Sequence, residues 1–114
     1  IIAQLSIQSE KEYLLVTISG ELVLADSQQI KEEVKKAIEE DKRYQVIIDL
    51  SGVDFIDSSG LGVLIGWFKT VNQAQGKIAY VGLAEYVNKI ISLAKLDKIF
   101  PIYSSASEAI AHLA

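Results

Sequence analysis

Cysteine and methionine are both absent from this chain of 114 residues, and proline, tryptophan and histidine occur once each. Without cysteine there are no disulfides, no thiol catalysis and no thiolate metal sites, which fits a cytoplasmic location. The single histidine, His112, sits in a terminal helical pattern with no histidine-dependent motif around it and reads as a surface residue rather than a catalytic one. Half of the residues are hydrophobic, yet no apolar run approaches the roughly 18 residues that would suggest a membrane span. Basic residues are outnumbered, 11 against 15 acidic, for a net charge of −4, which disfavours a nucleic-acid surface because clustered cations are needed to neutralise phosphates. There is no repeat, no low-complexity stretch and no Pro/Gly-rich linker, so residues 1–114 read as one domain. The opening Ile1 to Ile7 alternates like a strand and lacks the basic start and apolar middle of a secretory signal. Beginning on isoleucine and containing no methionine, the sequence reads as a piece trimmed from a longer chain.

What is present is an alternation of strand and helix patterns. Strands are expected near residues 3–8, 13–19, 45–50, 78–82 and 99–103, the first two joined as a hairpin through Ser9-Glu10-Lys11-Glu12. A helix should begin at Asp26 or Ser27, with Asp26 and Gln29 as a capping box and Ile30, Val34, Ala37 and Ile38 as its buried stripe. The charged run from Lys31 to Glu40 on its other side reads as a solvated face. The last helix starts with Ser105 and Glu108 at capping-box spacing and turns Ala109, Ile110 and Leu113 inward. Strands alternating with helices after residue 40 imply right-handed crossovers and a partly parallel sheet. The expected fold is α/β, a mixed four- to five-stranded sheet packed with about four helices.

The apolar strand Val46-Ile47-Ile48-Asp49-Leu50 leads through Ser51-Gly52-Val53-Asp54-Phe55-Ile56 to Asp57-Ser58-Ser59-Gly60-Leu61-Gly62. Two adjacent hydroxyls thus stand at a helix start, with acids before them and glycines after them. Unpaired N–H groups and the positive end of the helix dipole favour an anion there. A phosphoserine, adding roughly −1.5 to −2 charges, is tolerated in a first helical turn without unfolding it. Asp54 and Asp57 would push that phosphate outward, where it blocks a partner. Either Asp57 or Ser58 serves as N-cap of the unmodified helix, and a plain cap and turn is the simplest alternative account of these residues.

Projected at 100° per residue, Leu61, Leu64, Ile65, Phe68 and Asn72 gather on one side of this helix, the first four as its core face. Gly62, Val63, Gly66, Trp67, Lys69 and Thr70 fall on the other. Trp67 there is either an exposed interface anchor or a side chain packed under a neighbouring helix or loop. Gly62 and Gly66 each cost roughly 1 kcal/mol of helix propensity against alanine, so a neighbour or partner should approach them closely.

Taken together, the segment through Asp57-Ser58-Ser59-Gly60 resembles the signature of bacterial anti-sigma-factor antagonists, the small members of the STAS superfamily. The resemblance extends to Val16-Thr17-Ile18-Ser19-Gly20-Glu21-Leu22, to Gly76-Lys77-Ile78-Ala79-Tyr80-Val81-Gly82 and to Ile91-Ser92-Leu93-Ala94-Lys95-Leu96-Asp97-Lys98-Ile99-Phe100. It implies that Ser58 is phosphorylated, with Ser59 the competing acceptor, by a partner that is both anti-sigma factor and ATP-dependent serine kinase. It also implies a serine phosphatase that resets the switch. The partner-binding surface is expected to comprise Asp57, Ser58, Ser59, Gly60, Gly62, Val63, Gly66 and Trp67. Val23 departs from the pattern, since many members carry an aspartate directly after the Gly-Glu-Leu run.

The implied function is partner switching. The unphosphorylated chain binds the anti-sigma factor and frees the sigma factor, and modification at Ser58 ends that binding. The alternatives are a non-switching STAS scaffold and a partner-switch regulator of a non-sigma target. An enzyme is not expected: no Gly-x-Ser-x-Gly elbow, phosphate-binding Gly-Lys-Ser/Thr loop or metal-spaced histidine pair occurs, and Asp49, Asp54 and Asp57 are more simply turn, cap and charge. No cofactor or metal is expected either, ATP belonging to the partner.

Overall fold

The computed structural model describes residues 3–113; Ile1 and Ile2, where the expected strand-like alternation begins, lie outside the described residues, as does Ala114, and the first strand starts at Gln4. Strand β1 (Gln4–Ser9) turns back into β2 (Leu14–Leu22), followed by helix α1 (Leu24–Asp41), β3 (Gln45–Ile56), α2 (Ser58–Gln73), β4 (Lys77–Val81) and α3 (Glu85–Leu93). A single 3-10 turn (Leu96–Lys98), β5 (Ile102–Tyr103) and α4 (Ala106–Leu113) complete the chain. The five strands lie side by side in sequence order; β1 and β2 are antiparallel and every later pair is parallel. This is the mixed α/β architecture expected from the alternation of periods.

Side-chain alternation on the strands sorts the core into two layers. Leu14, Val16, Ile18, Val46, Ile48, Leu50, Ile78 and Tyr80 face one way and meet Ile30, Val34 and Ile38 of α1, Val63, Leu64, Trp67 and Val71 of α2, and Val87 and Ile91 of α3. Ile47, Ala79 and Val81 face the other way and are covered by Ala109 and Leu113 of α4. Three helices therefore fill one face of the sheet, and one short helix covers part of the other.

Four local expectations are corrected. Helix α1 starts at Leu24, ahead of Asp26, and its N-cap is Val23, which offers no side-chain hydrogen bond. Strand β3 runs to Ile56 instead of ending at residue 50: Ser51–Ile56 pairs with β2 through register shifts beside Ser19 and Gly20, the latter at φ 99°. Glycine takes that positive φ without steric cost, so the ladder continues past the kink. The last strand shrinks to Ile102–Tyr103, because the segment before it winds into the 3-10 turn. At α4, Glu108 N–H donates to the Ser105 hydroxyl as expected, but the Glu108 carboxylate reaches back to the N–H and hydroxyl of Ser104, one residue earlier than a capping box.

The hairpin is secured by a residue the sequence did not single out. Arg43, just beyond α1, donates to the carbonyl oxygens of Glu10 at 2.7 Å, Lys11 at 2.9 Å and Tyr13 at 3.2 Å, and to the Ser9 hydroxyl at 3.1 Å. Asp41 holds the guanidinium in place from 2.7 Å, and that hydrogen bond lowers the Asp41 pKa and raises that of Arg43. A planar fork of donors suits this turn, whose carbonyls converge on one point.

Candidate functional site: the α2 start and its apolar border

The carboxyl ends of β2 and β3 lie level, Leu22 opposite Ile56, and each strand leads directly into a helix there. In parallel sheets this end is where connecting loops build a site. Asp57 occupies the junction. One of its carboxylate oxygens accepts from the Gly60 N–H at 2.9 Å, which makes it the N-cap of α2. The other accepts from the Leu24 N–H at 3.1 Å, at the start of α1. Because Val23 cannot cap α1, Asp57 supplies an acceptor to both helices. The Gly60 N–H above all, aided by the Leu24 N–H and opposed by partial burial, holds the Asp57 carboxyl below the usual carboxylate range.

The question of which residue caps α2 is thus resolved in favour of Asp57, and the Ser58 hydroxyl is left unused. Ser58 is the first residue of the helix and is exposed; among the described residues its side chain makes no hydrogen bond. Ser59 is half-buried one position further in. Gly60 is buried, and a Cβ there would lie 2.2 Å from the Leu22 carbonyl oxygen, so only glycine lets the start of α2 approach the end of β2. Gly66 makes room for the stem of Lys31 from α1, with a Cβ position 3.0 Å from its Cε. Gly62 differs: it is exposed, and no atom of a neighbouring element comes within 4 Å of a Cβ there.

Three residues expected on the partner surface are not on it. Trp67 is fully buried, its indole N–H donating to the Lys31 carbonyl oxygen at 3.1 Å, and Val63 is buried beside α1 in the same core. Gly60 is covered by Leu22. The helix is apolar on two flanks because it packs against both the sheet and α1, so Val63 and Trp67 serve the fold. Asp57, Ser58, Ser59 and Gly62 remain together at the surface, and Gly66 lies half-buried behind them.

Residues the sequence reading passed over border this surface. Leu24, whose N–H binds Asp57, is 73% exposed. Phe55, three residues before Ser58, is stacked on Tyr86 of α3 with ring centroids 5.3 Å apart, and both rings are partly open to solvent. Apolar residues left exposed around one polar group mark a contact surface, and exposure is a property no local pattern reveals. Glu21 and Asp54 lie within two residues of the same strand ends, and Glu85 opens α3 directly before Tyr86. Among the described residues no cluster of acids and histidines is arranged to hold a metal ion, and no helix is long and apolar enough to cross a membrane.

Residues 4–109, a span that runs from β1 through the Asp-Ser-Ser-Gly segment into α4, match the STAS domain. The chain belongs to the STAS domain family. Its relatives include the anti-sigma F factor antagonist of Paenibacillus polymyxa, 31% identical over 110 residues that cover 96% of this chain and 94% of that one. The solved TM1081 protein of Thermotoga maritima superposes with a TM-score of 0.90 at 27% identity, over 96% of this STAS domain and 93% of its own chain. The phosphorylated form of the Bacillus cell fate determinant SpoIIAA shares the fold, with a TM-score of 0.74 at 20% identity over 97% and 100% of the two chains. The domain is thus similar over most of its length to proteins named as anti-sigma factor antagonists, the anti-sigma-B factor antagonist of Listeria monocytogenes among them.

Proposed function

We propose that this STAS domain is a partner-switching antagonist acting in the cytoplasm. Unphosphorylated, it binds an anti-sigma factor over the Ser58 surface; phosphorylation of Ser58 ends the complex, and the sigma factor is recaptured. The observation that carries the reading is the free Ser58 hydroxyl in the first turn of α2. Asp57 already caps the helix, so modification at Ser58 breaks no bond of the fold. The helix dipole tolerates the added anion, while roughly two negative charges appear amid Leu24, Phe55 and Tyr86, where an apolar partner surface would have to desolvate them. The kinase is the anti-sigma factor itself using ATP, and a serine phosphatase restores the hydroxyl. Ser59 is the lesser acceptor because it is half-buried.

The test is the intact mass of the protein from its own cells, before and after phosphatase treatment, with Ser58→Ala and Ser59→Ala in parallel, followed by binding of Ser58→Glu to the anti-sigma factor. One phosphate lost in Ser58→Ala, together with lost binding by Ser58→Glu, supports the switch. A phosphate that persists in Ser58→Ala moves the acceptor to Ser59 or elsewhere. Undiminished binding by Ser58→Glu would instead make the domain a non-switching scaffold.

A further inference from the structure

Strand β1 is the outer strand of the sheet, and its free edge differs from the other one. Strand β5 is a two-residue stub running directly into α4, a short and protected edge. Strand β1 is six residues long, reads Gln-Leu-Ser-Ile-Gln-Ser, and contains no charge and no proline. Soluble proteins usually blunt a long edge with lysine, proline, a bulge or a covering segment, because its unpaired N–H and C=O groups template another strand. Among the described residues β1 has none of these devices, although the chain carries 26 charged side chains in all, 11 basic and 15 acidic.

The hairpin reveals which backbone groups are free. Glu10 N–H donates to the Tyr13 carbonyl oxygen at 2.9 Å, and the register continues as Gln8 opposite Leu15, Ser6 opposite Thr17 and Gln4 opposite Ser19. Hydrogen-bonded and non-bonded pairs alternate in an antiparallel ladder, so Gln4, Ser6 and Gln8 direct their backbone groups to β2, and Leu5, Ile7 and Ser9 direct theirs outward. Ile7 is the central one of the three, and its side chain is 36% exposed.

We infer that β1 pairs antiparallel with β1 of a second copy of this chain about a two-fold axis at Ile7, joining two sheets into one. A two-fold there sets Ile7 opposite its own counterpart and Leu5 opposite Ser9 of the second copy, so every outward N–H and C=O meets its complement. Both Ile7 side chains fall on the same face, directly across from each other, and cover the surface each leaves open. A strand without charge meets its own copy without like-charge repulsion, and each exposed Ile7 gains an apolar counterpart at the axis. Ser58 follows β3, two strands in from this edge, so the pairing leaves the switch surface open in both copies.

The test uses the chain's lack of cysteine. Ile7→Cys places one thiol on the axis, where hydrogen-bonded antiparallel partners have Cα atoms about 5.5 Å apart, within disulfide range. Under mild oxidation it is expected to form a covalent dimer much faster than Leu93→Cys, an exposed control at the end of α3, beyond β4. Sedimentation across a concentration series should raise the mass of the unmodified chain from that of one copy to that of two. Ile7→Lys should stay at one copy, with its circular dichroism unchanged. A chain monomeric at every concentration, a dimer that survives Ile7→Lys, or equal crosslinking by the two cysteine variants would overturn the pairing.

Discussion

Asp57 and Leu24 lie 33 residues apart in sequence, yet the Asp57 carboxylate accepts the Leu24 N–H at 3.1 Å while its other oxygen caps α2. One acid thereby ties together the starts of the two helices that frame Ser58. Asp57→Ala removes both acceptors and is expected to cost about 1–2 kcal/mol in denaturant unfolding, the range of a lost N-cap at a partly exposed site. The folded pKa is lowered, so this stabilisation is complete above the unfolded value of 3.8 and is lost as pH falls through the lower folded value. Acid unfolding of Asp57→Ala should therefore show a shallower pH dependence in that window than the parent. An identical acid profile would show that the double cap adds nothing.

Two glycines two residues apart should respond in opposite directions. Gly60→Ala forces a methyl against the Leu22 carbonyl oxygen and is expected to cost about 2 kcal/mol or more. Gly62→Ala enters open space and should stabilise α2 by up to about 1 kcal/mol through helix propensity. If Gly62 lies under the partner, the same substitution weakens anti-sigma factor binding several-fold despite the gain in stability. Thermal melts and a binding titration on the same samples separate the two effects.

The only tryptophan reports on folding and not on docking. Trp67 is buried and bound to the Lys31 carbonyl oxygen, so its emission should be blue-shifted in the native chain and move to the red on unfolding. Partner binding should leave it nearly unchanged. Trp67→Phe loses the hydrogen bond and part of the packed volume, an expected cost of about 1–3 kcal/mol in the urea midpoint analysis.

Tyr80 is fully buried, with its hydroxyl donating to the Leu64 carbonyl oxygen, and burial pushes its pKa well above the ordinary value of 10.0. A raised folded pKa means that stability is intact below the unfolded value and declines as pH rises past it, because only the unfolded chain then ionises readily. In an alkaline absorbance titration the Tyr80 step should coincide with loss of near-ultraviolet circular dichroism. Tyr80→Phe should remove that step and delay alkaline unfolding, at a cost of about 1 kcal/mol near neutral pH for the missing hydrogen bond. A Tyr80 step in the still-folded chain would contradict its burial.

The chain by itself determined the elements whose information is local. The apolar run Val46–Leu50, the helical stripe of Ile30, Val34 and Ile38, and the polar break at Ser9–Glu12 specify strand, helix and hairpin, because a short apolar run and a period of 3.6 are written into neighbouring residues. The Ser58 position at a helix start was legible for the same reason. Only the tertiary structure decided what depends on segments distant in sequence. The packing of α1 beside α2 buried Trp67 and Val63, and the meeting of two strand ends gave Asp57 a second helix to cap. The ladder to β2 carried β3 past Ser51-Gly52, and the converging carbonyls of one turn made Arg43 their clamp. Leu24, Phe55 and Tyr86 became a border beside the start of α2 only because no described residue covers them, and coverage is a property of the assembled molecule, not of any stretch of it.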